Sequence, residues 1–312
     1  MRHRSELGLN SVFFILSLLS ISIFLSGIIS YEYITRFSGI PTSSRAAVLD
    51  PFNSRFRGID GYQSSIDAIV KHLESANYMV EYYRDGEVSL DVWRKICMGG
   101  YGVIYLNTHG YIDQDGYIYV YLGELVRGVD PPIRDVGISY LPLEEGVDEI
   151  YIVVFPEFVR YYGRMSEKSI IFVDACLSAY NPTMASAFIE VGAGCYVGWS
   201  GSVGVAVGAR IDAEFFKHLA QGDTIFTALY KSGIDPITTA RLIAYGDPYI
   251  ALIDTGYRSS IPTLVYIALS FVSSILSIML TFRKPKFIYA KLYNILKILK
   301  WVILHKHKTR CI

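Results

Sequence analysis

The stretch IIFVDACLSA, residues 170–179, carries the reading of the fold. Its first four residues are apolar without interruption, and an acid, a small residue and a cysteine follow. A run this short, apolar at every position, suits a strand buried on both faces, as strands of parallel sheets are. The residues past its carboxyl end then fall where open α/β sheets gather their reacting groups. A second run, VIYLNTHG (103–110), has the same form and brings His109 to the equivalent place.

Around these two, the chain alternates. RAAVLD (45–50), NYMVEYY (77–83), GCYVGWSG (194–201) and a last segment near DPYIALID (247–254) read as strands. Between them, helical spacing runs through GIDGYQSSIDAIVKHLESA (58–76), where Ile66, Ile69, Val70 and Leu73 share a face. It recurs in SLDVWRKICM (89–98), in NPTMASAFIEVGA (181–193) with Pro182 at the start, in VGARIDAEFFKHLAQG (207–222) closed by Gly222, and in TIFTALYKSG (224–233). This order predicts an α/β domain, a mainly parallel sheet between two helical layers. One interval breaks the pattern. YIDQDGYIYVYLGELVRG (111–128) reads as a hairpin, and a Pro/Asp/Glu-rich stretch to about Glu149 reads as irregular. Such an insertion at a sheet's rim is expected to shape a cleft. Its DQDG (113–116) resembles the start of a calcium loop, but the later ligands are missing and Asp-Gly suits a hairpin turn.

The ends of the chain have a different character. Residues 11–30 and 261–282 are long, uncharged and mostly apolar, each long enough to cross a hydrocarbon core of about 30 Å. Basic residues flank both on the distal side, so the positive-inside rule puts residues 1–10 and 283–312 in the cytoplasm and 31–260 outside it. The first segment reads as an uncleaved signal anchor, since its apolar stretch is longer than a signal peptide's and no A-x-A site follows. The tail, 283–312, mixes lysines with apolar residues at near-helical spacing and is expected to lie on anionic lipid. A third span through 287–305 would have to bury Lys291, Lys297 and Lys300.

A formal net charge of zero hides an asymmetry: 31–260 holds 18 basic and 28 acidic residues, a net charge near −10. That excludes nucleic acid as its partner, because phosphate binding needs a basic surface.

The chemistry centres on one pair. Of three histidines and three cysteines in 31–260, only His109 and Cys176 both follow the carboxyl ends of predicted strands. His72 and His218 fall on helices, and Cys97 and Cys195 fall inside a helix and a strand, where packing or a mutual disulfide would account for them. If the two strands are neighbours, imidazole and thiol face one crevice. An imidazole can take the proton of a thiol that is otherwise mostly protonated at neutral pH. Gly110 allows its backbone N–H to come close to a substrate, and the Cys176 N–H is a second candidate donor to an oxyanion. Asp174 either caps a turn or offers a carboxylate to a basic substrate side chain, while Trp199 and Ser200 would form another wall of that pocket if their strand adjoins that of Cys176. This chemistry needs neither metal nor cofactor.

The order of motifs, an apolar strand ending in HG (109–110) and a later one ending in DAC (174–176), resembles the caspase-like fold of the cysteine peptidase clan that includes caspases, metacaspases, legumain, separase, clostripain and the gingipains. GWSG (198–201), FFKHLAQGDTIFTALYKSG (215–233) and YGDPYIAL (245–252) are most similar to gingipain-like and CHAT-domain members. The resemblance covers about two thirds of the chain, residues 45–255. It implies a caspase-like three-layer sandwich in which His109 is the general base and acid, Cys176 the nucleophile and Gly110 an oxyanion donor. It also implies that Asp174 lines a pocket for Arg or Lys. The expected function is that of a membrane-anchored cysteine endopeptidase acting on peptides or proteins outside the cytoplasm. A transamidase using the same thioester and a catalytically silent membrane scaffold are the alternatives.

Overall fold

The computed structural model of the chain describes residues 37–126, 134–143 and 148–254, together with Ser22. Arg45–Asp50 (β1), Met79–Arg84 (β2), Val103–Asn107 (β3), Ile170–Asp174 (β8), Cys195–Trp199 (β9) and Leu242–Gly246 (β10) form a six-stranded sheet in the order β10-β9-β8-β3-β1-β2. All neighbours are parallel except β9 and β10. The architecture is therefore mixed α/β with a mainly parallel sheet.

The uninterrupted apolar strands are explained by burial on both faces. In β8, Ile170 and Phe172 point into one core while Ile171 and Val173 point into another, and Val103 and Tyr105 alternate in the same way with Ile104 and Leu106 in β3. Tyr62–Ser75 (α2) and Val205–Ala220 (α6) cover the first face, burying Ile66, Ile69 and Leu73 against it together with Phe215, Phe216 and Leu219. Leu90–Cys97 (α3), Pro156–Tyr162 (α4) and Thr183–Glu190 (α5) cover the second with Trp93, Phe158 and Phe188. Caps set the helix starts: Ser89 accepts the Val92 N–H before α3, and Thr224 accepts the Thr227 N–H before Ile225–Ser232 (α7). A short helix, Asn53–Phe56 (α1), follows β1.

Three expectations need correction. The interval 111–149 does not stay irregular after its hairpin. Gly110–Ile112 (β4), Ile118–Val126 (β5), Ile138–Pro142 (β6) and Ile150–Val154 (β7) build a second, antiparallel sheet in the order β4-β5-β7-β6. Its strand β6 was hidden because its first four residues are all half-buried and show no alternation. The last strand is Leu242–Gly246 rather than 247–254, whose residues make only isolated bridges, Gly39 with Ile250 and Thr224 with Ala251. Cys97 and Cys195 are both free, and they sit in the two cores on opposite faces of the sheet, so no disulfide joins them.

The chain enters and leaves this unit, Phe37–Tyr257, at one place. Ser38 donates to the Tyr249 carbonyl and Ala251 to that of Gly39, near the amino ends of β8 and β9. Among the described residues no helix is long and apolar enough to cross a membrane. The segments 11–30, 261–282 and 283–312 lie, Ser22 apart, outside the described residues.

Candidate active site

The parallel register of β3 and β8 pairs Asn107 with Asp174, and the ladder continues as the Thr108 N–H donates to the Asp174 carbonyl at 2.8 Å. His109 and Cys176 each lie two residues beyond that pair. The two strand tips are adjacent, and both residues are half-buried at the same end of the sheet.

Cys176 sits on a strained turn. Leu177, directly after it, has φ +62°, in the left-handed region that a γ-branched residue rarely enters, and its N–H donates to the Gly201 carbonyl. The fully buried Ser178 pins this turn between β8 and β9: its hydroxyl donates to the Val173 carbonyl at 2.8 Å and accepts the Trp199 N–H at 2.9 Å. Gly198 is required for this packing, since a Cβ there would lie 2.6 Å from Ser178 Oγ. The Cys176 thiol faces the loop after β9, accepting the Val203 N–H at 3.4 Å and lying 3.7 Å from the Val203 carbonyl. That loop is held in turn by Asp235, whose carboxylate accepts the Gly204 N–H. Neither Val203 nor Asp235 carried a signal in the sequence, because both act through backbone contacts between distant segments.

His109 lies among rings, with Phe52 at 4.8 Å, Phe56 at 5.3 Å and Tyr121 at 6.5 Å between centroids. Burial first, and the nearby Arg55 second, push its pKa down to about 4, so the imidazole is neutral at neutral pH and free to accept a proton. No hydrogen bond joins His109 to Cys176 among the described residues. Catalytic hydrogen bonds are often long before substrate is bound.

Gly110, the residue after His109, opens β4. Tyr121 donates its N–H to the His109 carbonyl, and Asp113 donates to that of Tyr117, so positions 109, 111 and 113 are the bonded positions of the β4–β5 hairpin. Gly110 alternates with them and turns its N–H away from β5. It packs so closely on the cysteine turn that a Cβ would meet the Cys176 carbonyl oxygen at 2.7 Å and Ala175 Cβ at 2.9 Å. The Cys176 N–H has no acceptor among the described residues. Asp113 is spent on the hairpin turn, its carboxylate accepting the N–H groups of Asp115 and Tyr117. Among the described residues no group of acids, histidines and cysteines is arranged to hold a metal.

The remaining predicted residues are placed differently. Asp174 is 5% exposed and roofed by α6, where a Cβ on Gly208 would lie 3.1 Å from its carboxylate. Strand alternation turns it, like Phe172, toward α2 and α6. Trp199 is fully buried, with its indole near Asp174 but outside hydrogen-bonding geometry, and does not form an open wall. Ser200 is taken up by Arg241, the residue before β10: its N–H donates to the Arg241 carbonyl and its hydroxyl accepts the Arg241 N–H.

Beneath the cleft lies a polar cluster that the sequence did not announce. Tyr105 OH reaches both Asp174 (3.3 Å) and Asp212 (3.1 Å), and Tyr62 OH donates to Asp50 at 2.7 Å and accepts from Asn107 at 3.1 Å. Three buried carboxyls, Asp50, Asp174 and Asp212, have no basic partner among the described residues. Burial is the main cause that raises all three, Asp174 to about 6 and Asp212 well above the usual carboxylate range, with Asp174 itself adding to the latter.

A raised carboxyl contributes stability that is complete below its unfolded pKa and lost as pH rises through the folded one. Stability of the protein is thus expected to fall as pH rises from about 4, where the unfolded carboxyls ionise, through about 6, where Asp174 ionises in the folded protein, and to go on falling as Asp212 ionises above that. Asp212→Asn, whose amide can donate to Asp174, should flatten this fall and raise stability at pH 8 by about 1–2 kcal/mol. Thermal melts from pH 5 to 8 check it, and equal slopes in both proteins would refute it.

No protein-family model matches the chain, and a search of curated proteins finds no similar sequence.

Proposed function

We propose that the protein is a membrane-anchored cysteine endopeptidase acting outside the cytoplasm by acyl transfer, with Cys176 and His109 as its dyad. The observation that supports this reading is the adjacency of β3 and β8, with a neutral imidazole and a half-buried thiol each two residues past the Asn107–Asp174 pair at the carboxyl end of the sheet. His109 takes the thiol proton as Cys176 Sγ bonds to the substrate carbonyl carbon, and the oxyanion is met by the N–H groups of Gly110 and Cys176. The C–N bond then breaks as His109 gives its proton to the amine. Water, deprotonated by His109, attacks the thioester; the acid leaves and the thiol is restored. The Val203 N–H holds the sulfur in place through this cycle. Membrane anchoring rests on the two apolar segments, 11–30 and 261–282.

Cleavage after Arg or Lys is part of the proposal, supported by the net charge near −10 of residues 31–260, which favours a cationic substrate; the Asp174 carboxyl itself is buried under α6. Peptidyl acyloxymethyl ketones, with Lys or with Asn at the reactive position, test both parts. The full-length protein should be labelled in preference by the Lys probe, and Cys176→Ala should abolish labelling. Labelling that persists in Cys176→Ala overturns the dyad, and preference for the Asn probe overturns the basic specificity.

A further inference from the structure

Aromatic side chains continue from His109 onto the hairpin that follows it. Tyr121 touches the imidazole ring edge-on and lies 5.8 Å from Tyr111 and 6.0 Å from Tyr119. Tyr111 and Tyr119 face each other across β4 and β5 with centroids 6.0 Å apart and planes within 24° of parallel, and Tyr119 meets Phe155 at 5.2 Å. Tyr121 is buried beneath, whereas Tyr111 is 41% exposed and Tyr119 half-buried. The result is an aromatic shelf that begins at His109 and runs out to the partly exposed ring of Tyr111. Exposed rings on a rigid hairpin offer contact area that costs little conformational entropy on binding.

The direction of the reaction says what lies on that shelf. Whatever sits beside His109 during acyl transfer is the amine that receives its proton, so the residue following the scissile bond leaves from the His109 side of the thiol. Its side chain must then pass over β4. The strand beneath it, β4, is the edge of its sheet, and the ladder turns the N–H and C=O groups of Ile112 away from β5.

We propose that the Tyr111–Tyr119 shelf is the subsite for the residue immediately after the cleaved bond, and that it selects an aromatic or large aliphatic side chain. This rests on the peptidase reading above and adds a specificity on its leaving side, where the carboxyls of Asp174 and Asp212 have no influence.

The test needs no knowledge of the residue before the bond. Full-length protein is incubated with a proteome-derived peptide pool, and new amino termini are identified by mass spectrometry, with Cys176→Ala as background. Phe, Tyr, Trp and Leu should be enriched roughly fivefold or more at the new first position. In Tyr111→Ala, a change at a half-exposed edge position, that enrichment should fall toward the pool's composition, and in Tyr111→Phe it should persist. No enrichment in the wild type, or enrichment unchanged in Tyr111→Ala, overturns the proposal while leaving the peptidase standing. A pool without any Cys176-dependent new termini removes the peptidase and this subsite together.

Discussion

Replacing His109 with alanine is expected to lower kcat/KM by about 10²–10⁴-fold, the range supplied by a positioned general acid–base. The loss should appear in kcat, because in the proposed mechanism the imidazole acts on protons in flight, and it makes no hydrogen bond among the described residues. The pH profile separates this from simple disruption. A base pushed down to about 4 by burial and by Arg55 is deprotonated across the neutral range, so kcat/KM should fall on the acid side only as pH drops through about 4. His109→Ala removes that limb, leaving a low and flat residual rate. A variant within a few-fold of wild type, or an acid limb that survives the substitution, would mean that another group moves the proton.

Gly110→Ala should be nearly as damaging, for a different reason. The added methyl cannot be absorbed by a flexible side chain, since its nearest neighbours are the Cys176 carbonyl oxygen at 2.7 Å and the Cβ of Ala175 at 2.9 Å. Either β4 moves off the cysteine turn or the turn moves off β8. Both would displace the Gly110 N–H from its proposed place facing the oxyanion, and losing one such donor costs about 10²–10³-fold in kcat. Overpacking adds a stability penalty of about 1–3 kcal/mol. The kinetic loss should therefore exceed what the shift in Tm explains when rates are measured well below the melting transition. Wild-type kcat with a lowered Tm would show that Gly110 serves packing alone.

Much of this site was legible in the chain. The continuous apolar runs at 103–106 and 170–173 identify strands buried on both faces, because a strand with one wet face must alternate. The residues that end those runs, Asn107 and Asp174, mark where the strands reach the cleft. The hairpin at Asp113–Gly116 was equally plain from its turn chemistry. What stayed hidden were the partners supplied by distant segments: the Val203 N–H on the Cys176 sulfur, Asp235 holding that loop, Asp212 against Asp174, and Phe52 and Phe56 around His109. Each depends on which loop or helix packs over the strand tips, and no local pattern encodes that. The reading of Trp199 as a cleft wall failed for the same reason. Its strand does adjoin that of Cys176, but the pleat sends its ring inward.

The sequence by itself determined the strand–helix alternation, the two chemical groups at strand ends and the separation of an acidic middle from basic, apolar termini. These follow from periodicity and composition, which act over a few residues. Only the tertiary structure decided that β3 and β8 are neighbours, that Asp174 lies under Gly208 and not in the open, and that Ile138–Pro142 and Ile150–Val154 join the hairpin in a second sheet. Strand order and side-chain cover come from long-range packing, where the free energy belongs to contacts between segments and not to either segment alone.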